Sequence, residues 1–142
     1  TKELRQARVH LEFVCKLYKK QMESGRLFLH EHPAYASSWD EHTVKELLEY
    51  DEVEREIMHQ CQYGQRDSHG ESIKKPTGWM SNSSDILEQL SAKCQGKNGV
   101  CNATGRRRGA AGTCHGGSEK RRDGQAVGLT RQALRSSSDF QL

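Results

Sequence analysis

Apolar residues recur at steps of three and four along residues 2–24, where Leu4, Ala7, Leu11, Val14, Tyr18 and Met22 share one face and Lys and Glu spread over the other. That period predicts an amphipathic helix, stopped by Gly25. Val9, Phe13 and Leu17 widen the apolar stripe, which suits packing on a sheet better than packing along one other helix. The pattern then changes. Leu27-Phe28-Leu29 is an uncharged run entered from Gly25-Arg26, and it continues as His30-Glu31-His32 to a halt at Pro33. A run of this kind predicts a buried strand of a parallel sheet, and helix, glycine, strand is half of a βαβ unit.

After Pro33 the chain turns through residues 34–38, and Ser37, Ser38 or Asp40 is placed to cap a second helix carrying Val44, Leu47 and Leu48. Over residues 51–61 two periods compete. Glu52, Glu54 and Glu56 alternate with Val53, Arg55 and Ile57 as in a strand, yet several of these residues also favour helix. A strand over residues 54–62 is expected. Residues 60–64 and 74–83 flank a polar loop with Asp67, His69 and Gly70, which suggests a hairpin. Ser83 or Ser84 then caps a helix from Asp85 to about Lys93, with Ile86, Leu87 and Leu90 as its apolar face.

Composition divides the chain in two. Only 33% of the 142 residues are hydrophobic, so the core is thin, and the mean hydropathy is -0.92. Residues 1–102 hold 14 Lys/Arg against 16 Asp/Glu, whereas residues 103–142 hold 8 against 3. The basic character belongs to the second part, which is rich in Gly, Arg and Ser and too poor in large apolar residues to offset its chain entropy. The expected organisation is a partial α/β domain over 1–102 and a disordered basic tail over 103–142. The start at Thr1, with a helix following at once, reads as a fragment of something longer. No apolar segment approaches the ~18 residues of a membrane span, so no membrane partner is expected. Five irregularly spaced cysteines without an export signal fit free thiols inside the cell, in nucleus or cytoplasm.

An acid delivered by an apolar strand is a site candidate in an open α/β sheet, which singles out Glu31. Around it, Glu31-His32-Pro33 is followed by Cys61-Gln62-Tyr63-Gly64, then Lys75-Pro76-Thr77, then Asn82. In this order the motifs resemble the C-terminal half of a cytosine-C5 DNA methyltransferase-like domain. Leu29-His30-Glu31-His32-Pro33, Ala36-Ser37-Ser38-Trp39 and Lys74-Lys75-Pro76-Thr77 are similar to versions carried in copia-type retroelement polyproteins. The resemblance covers residues 5–101.

The resemblance implies an incomplete doubly wound, Rossmann-like sheet. It implies Glu31 as the acid that holds or protonates the target ring, with Lys75, Thr77 and Asn82 on the substrate and S-adenosylmethionine as methyl donor in a complete parent domain. A positioned acid suits a developing anion, and a base in a duplex has to be flipped out to reach it. His32 stands where the family has Asn, and neither a Gly-rich cofactor loop nor a Pro-Cys nucleophile occurs in the chain. No cofactor and no activity are therefore expected of this chain alone, and the upstream half of its own domain is its expected partner.

Three other constellations compete. Arg106, Arg107, Arg108, Lys120, Arg121 and Arg122 suit non-specific contact with nucleic-acid phosphates, the basis of an alternative role as a non-catalytic binding module. Cys94, Cys101, Cys114 and His115 offer four soft donors, but the tight pair usual for zinc is missing. His30 and His32 share a strand face without a third ligand. Cys61 reads as a buried thiol, and no metal ligand is assigned.

Overall fold

The computed structural model describes residues 1–105. The long amphipathic pattern forms helix α1, Lys2–Glu23, capped by the Thr1 hydroxyl, which accepts from the Leu4 amide at 3.4 Å. It ends where Gly25 takes a left-handed φ of 67°. Strand β1 is Leu29–Pro33, helix α2 is His42–Leu48, strand β2 is Glu54–His59, strand β3 is Pro76–Ser81 and helix α3 is Ser84–Gln89. Short 3-10 turns at Ser37–Asp40 and Gln60–Tyr63 precede α2 and follow β2.

The fold is mixed α/β, with a three-stranded sheet in the order β1-β3-β2. Both pairings are antiparallel, Glu31 and Glu56 each lying opposite Trp79. The strand expected to lie beside a parallel neighbour is therefore antiparallel to β3, which returns after β2 and inserts between β2 and β1. β1 and β2 point the same way on either side of it. The burial also departs from that of a strand covered on both faces. After the buried Phe28, β1 is half-buried at Leu29, His30 and His32 and exposed at Glu31, as suits an edge strand. Pro33 closes β1, where a missing N–H costs the ladder little.

Each face of the sheet carries a core. Phe28, Trp39, Val44, Leu47, Val53 and Met80 bury together with Cys15 of α1, and Leu11, Tyr18 and Met22 pack against them. Tyr18 stacks on Phe28 with ring centroids 4.4 Å apart. On the opposite face Met58 and Trp79 meet Leu87 and Leu90, with Leu29, Tyr63 and Ile86 at the margin. Alternation along the strands explains the division, because Met80 and Trp79 are neighbours in sequence and face opposite ways. Gly78 allows Trp39 to lie against β3: a Cβ there would stand 2.7 Å from the indole. The guanidinium of Arg55 sits 4.0 Å above the same ring and donates to the Ala34 carbonyl.

Two helices differ from the pattern. Ser37, Ser38 and Asp40 lie in the 3-10 turn instead of capping α2, which starts from Glu41 without a side-chain cap. Helix α3 keeps the expected cap, the Ser83 hydroxyl accepting from the Ile86 amide, but ends at Gln89 well short of Lys93. Tyr63 accounts for the early stop: its hydroxyl donates to the Gln89 carbonyl at 2.7 Å and accepts from the Ala92 amide at 3.1 Å, which draws the chain off the helical path. Among the described residues no helix is long and apolar enough to cross a membrane. The disorder expected of the tail and its basic residues from Arg106 onward lie outside the described residues.

Candidate functional site

Between α1 and β1 lies a cleft of about 550 Å³ whose wall includes Leu4, Leu11, Val14, Tyr18, His30 and Glu31. His30 and His32, two apart on β1, share a face as alternation requires. Their rings lie 6.0 Å apart, and each meets Trp39 edge-on. Burial, then the neighbouring His32, lowers the His30 pKa to about 4. Burial, then the nearby Cys15, pushes the Tyr18 hydroxyl up to about 12. Tyr18 thus stays a phenol, and its hydroxyl shares a 3.1 Å hydrogen bond with Nδ1 of a neutral His30. Tyr18, His30 and His32 together line this part of the cleft.

Glu31 sits at the middle of β1, not at its end, and it is exposed. Trp79, its partner on β3, is buried, and its indole N–H has no acceptor among the described residues. The three residues assigned to substrate lie elsewhere, and none lines the cleft. Thr77 is 1% exposed; its hydroxyl accepts from the Gln60 side chain at 2.9 Å and is also within reach of the Lys75 carbonyl. Lys75 is exposed just before β3. Asn82 clamps the entry to β1, accepting from the Phe28 amide at 2.9 Å and donating to the Arg26 carbonyl at 3.0 Å. Thr77 and Asn82 thus spend their polar atoms on holding the fold.

A second cluster forms at the other end of the sheet. Cys61, in the turn after β2, meets Cys94 and Cys101 from the irregular segment after α3, with all three Sγ atoms within 4.8 Å of one another. Cys61 and Cys101 are buried and Cys94 is half-buried. The neighbouring backbone is tied down on several sides. The His59 amide donates to the Ala92 carbonyl at 2.9 Å, and the Cys94 amide donates to His59 Nδ1 at 2.8 Å. The Gln62 amide nitrogen lies 3.5 Å from both the Cys61 and Cys101 sulfurs and 3.1 Å from the Asn102 side-chain oxygen.

Electrostatics separate the thiols. Burial pushes Cys61 up to about 12. Cys101 is desolvated as well, but the amides of Thr104 and Ala103 more than offset this and bring it down to about 7. The cluster therefore favours a sulfur anion at Cys101. Cys114 and His115, which the sequence pattern groups with Cys94 and Cys101, lie outside the described residues, and the third sulfur comes instead from Cys61, buried as expected. Cys61 precedes Cys94 by 33 positions, so no local spacing marks the trio.

No known family, curated protein or solved structure matches the chain. Function therefore has to be argued from the fold and these two clusters.

Proposed function

We propose that residues 1–102 are the C-terminal part of a methyltransferase-like domain of a retroelement polyprotein, inactive alone and acting only when joined to the upstream half of that domain. The observation that carries this reading is the outer edge of β1. β1 ends the sheet order, so its outer side has no strand partner among the described residues. Helix α1 beside it leaves Val9, Phe13 and Leu17 largely exposed, at 61%, 58% and 44%. An added strand on β1 and an apolar layer on α1 would cover both. Two strands pointing the same way, joined through a helix, with helices on both sheet faces, also suit the end of a doubly wound sheet that carries an antiparallel strand.

The residues present do not fit S-adenosylmethionine. The turn after β1 reads Pro33-Ala34-Tyr35-Ala36-Ser37, with no glycine to admit a cofactor against the backbone. The Trp39 indole closes that turn by donating to the Pro33 carbonyl at 2.8 Å. No step of methyl transfer is assigned to this chain, and Glu31 is its single contribution to the parent's chemistry, as the acid beside the target base.

The test is a protein extended upstream in its own reading frame. Amides of β1 become protected there, Val9 and Phe13 become buried, and Glu31→Gln lowers transfer to cytosine-containing DNA by ~10² to 10⁴ while the protein stays folded. Equal exposure of α1 in the short and extended proteins would sink the reading. The basic surplus after residue 102 favours a second, non-catalytic role in which Arg106, Arg107, Arg108, Lys120, Arg121 and Arg122 hold nucleic-acid phosphates. DNA binding by this chain then weakens steeply with salt and disappears on truncation after Asn102, whereas retention by the truncated form would move the contact to the α/β part.

A further inference from the structure

The geometry points to a zinc site made by the thiolates of Cys61, Cys94 and Cys101. Four zinc-bound sulfurs at the usual bond length of about 2.3 Å stand about 3.8 Å apart, so sulfurs already within 4.8 Å need only a small contraction to share one ion. Soft thiolate donors select zinc over magnesium or calcium. The fourth corner of the tetrahedron takes water.

An independent observation comes from the segment that supplies two of the ligands. Residues 91–105 contain no helix or strand, and Cys101 is their one buried residue. Ordering such a segment costs backbone conformational entropy at every residue. Apolar burial there is too slight to offset that cost, and hydrogen bonds exchanged with water add little net stability. Even so, the chain doubles back through Asn98 and Gly99, both at positive φ, and returns Cys101 to Cys61. A metal joining the turn after β2 to this returning segment supplies the missing cross-link, because its binding energy is folding energy for the residues it orders. On loading, protons still carried by the thiols pass to solvent, so affinity rises with pH.

The site stands independently of the methyltransferase-like reading. It is tested on the whole chain, purified under reducing conditions, stripped of metal and titrated with zinc or cobalt(II). One equivalent binds, and cobalt gives the near-ultraviolet charge-transfer band of thiolate ligation. Cys94→Ser, at a half-buried position, lowers affinity at least tenfold with the sheet intact, and Cys15→Ala binds as the parent does. Chelation speeds amide exchange at 94–105 and leaves β3 protected, a readout that survives if Cys61 or Cys101 variants fail to fold. Absence of stoichiometric binding, unchanged affinity in Cys94→Ser, or a Cys61–Cys101 disulfide as the form present in reducing buffer would each overturn the site.

Discussion

The chain up to Leu90 and the segment from Ser91 to Gly105 are held by different means. The first buries two apolar clusters against the faces of a sheet, and every buried hydrophobic residue except Cys101 belongs to it. The second contributes no residue to either cluster; hydrogen bonds tie it to the first, and its two cysteines stand beside Cys61. A small α/β unit can therefore carry an ordered appendage that adds almost nothing to its core, held to it through polar contacts in place of burial. A packing defect in the first should therefore unfold both, whereas loss of the thiols should release the second alone.

The largest effect is expected at the centre of the first region. Leu47 is fully buried, and Leu47→Ala should cost ~2–5 kcal/mol, lowering the midpoint of chemical unfolding for the sheet and the appendage together. If residues 94–105 kept their amide protection while the sheet melted, the appendage would be the more autonomous part and the comparison would be reversed. Next comes Gly78→Ala, whose new methyl meets the Trp39 indole at 2.7 Å. A loss of ~1–3 kcal/mol is expected, and a smaller side chain at Trp39 should recover part of it in the double mutant.

A titration sharpens the same contrast. His30 has its pKa lowered from 6.5 to about 4 by burial and then by His32. The unfolded chain therefore binds more protons than the folded one between these values. Stability is fully present above pH 6.5 and falls as the pH drops toward 4, by up to ~2 kcal/mol with solvent screening allowed for. His30→Gln should flatten that part of the stability curve, and an unchanged slope would mean that other groups carry it. The smallest effect is expected in the last helix of the first region: Ser83→Ala removes the cap of α3 and should cost ~1 kcal/mol in thermal unfolding.

Much of the first region was legible in the sequence. Six turns of regular apolar spacing leave little choice for α1, and the alternation of Glu54 and Glu56 with Arg55 and Ile57 placed β2 despite competing helix propensity. Strand direction was not legible, because alternation along one strand is the same beside a parallel or an antiparallel neighbour. The length of α3 was hidden too, since the Tyr63 hydroxyl that ends it lies 26 positions upstream. Among the candidate residues, Glu31 keeps an exposed place on β1, but Thr77 and Asn82 were motif positions whose polar atoms serve the fold. The thiol trio was illegible for a different reason: its members come from two segments that only the finished sheet brings together.

The position of β3 also bears on the order of events during synthesis. β1 and β2 never touch, since β3 lies between them. A chain emerging from the ribosome has both outer strands available long before the strand that joins them, and until Ser81 clears the exit tunnel it has no sheet. α1 and α2 can meet early, helped by the Lys19–Glu46 and Arg8–Glu41 pairs, both 3.0 Å. The unpaired backbone of residues 29–33 and 54–59 has to wait. At ~5–20 residues per second that wait lasts several seconds for β1, long enough for neighbouring nascent chains to compete for its edge.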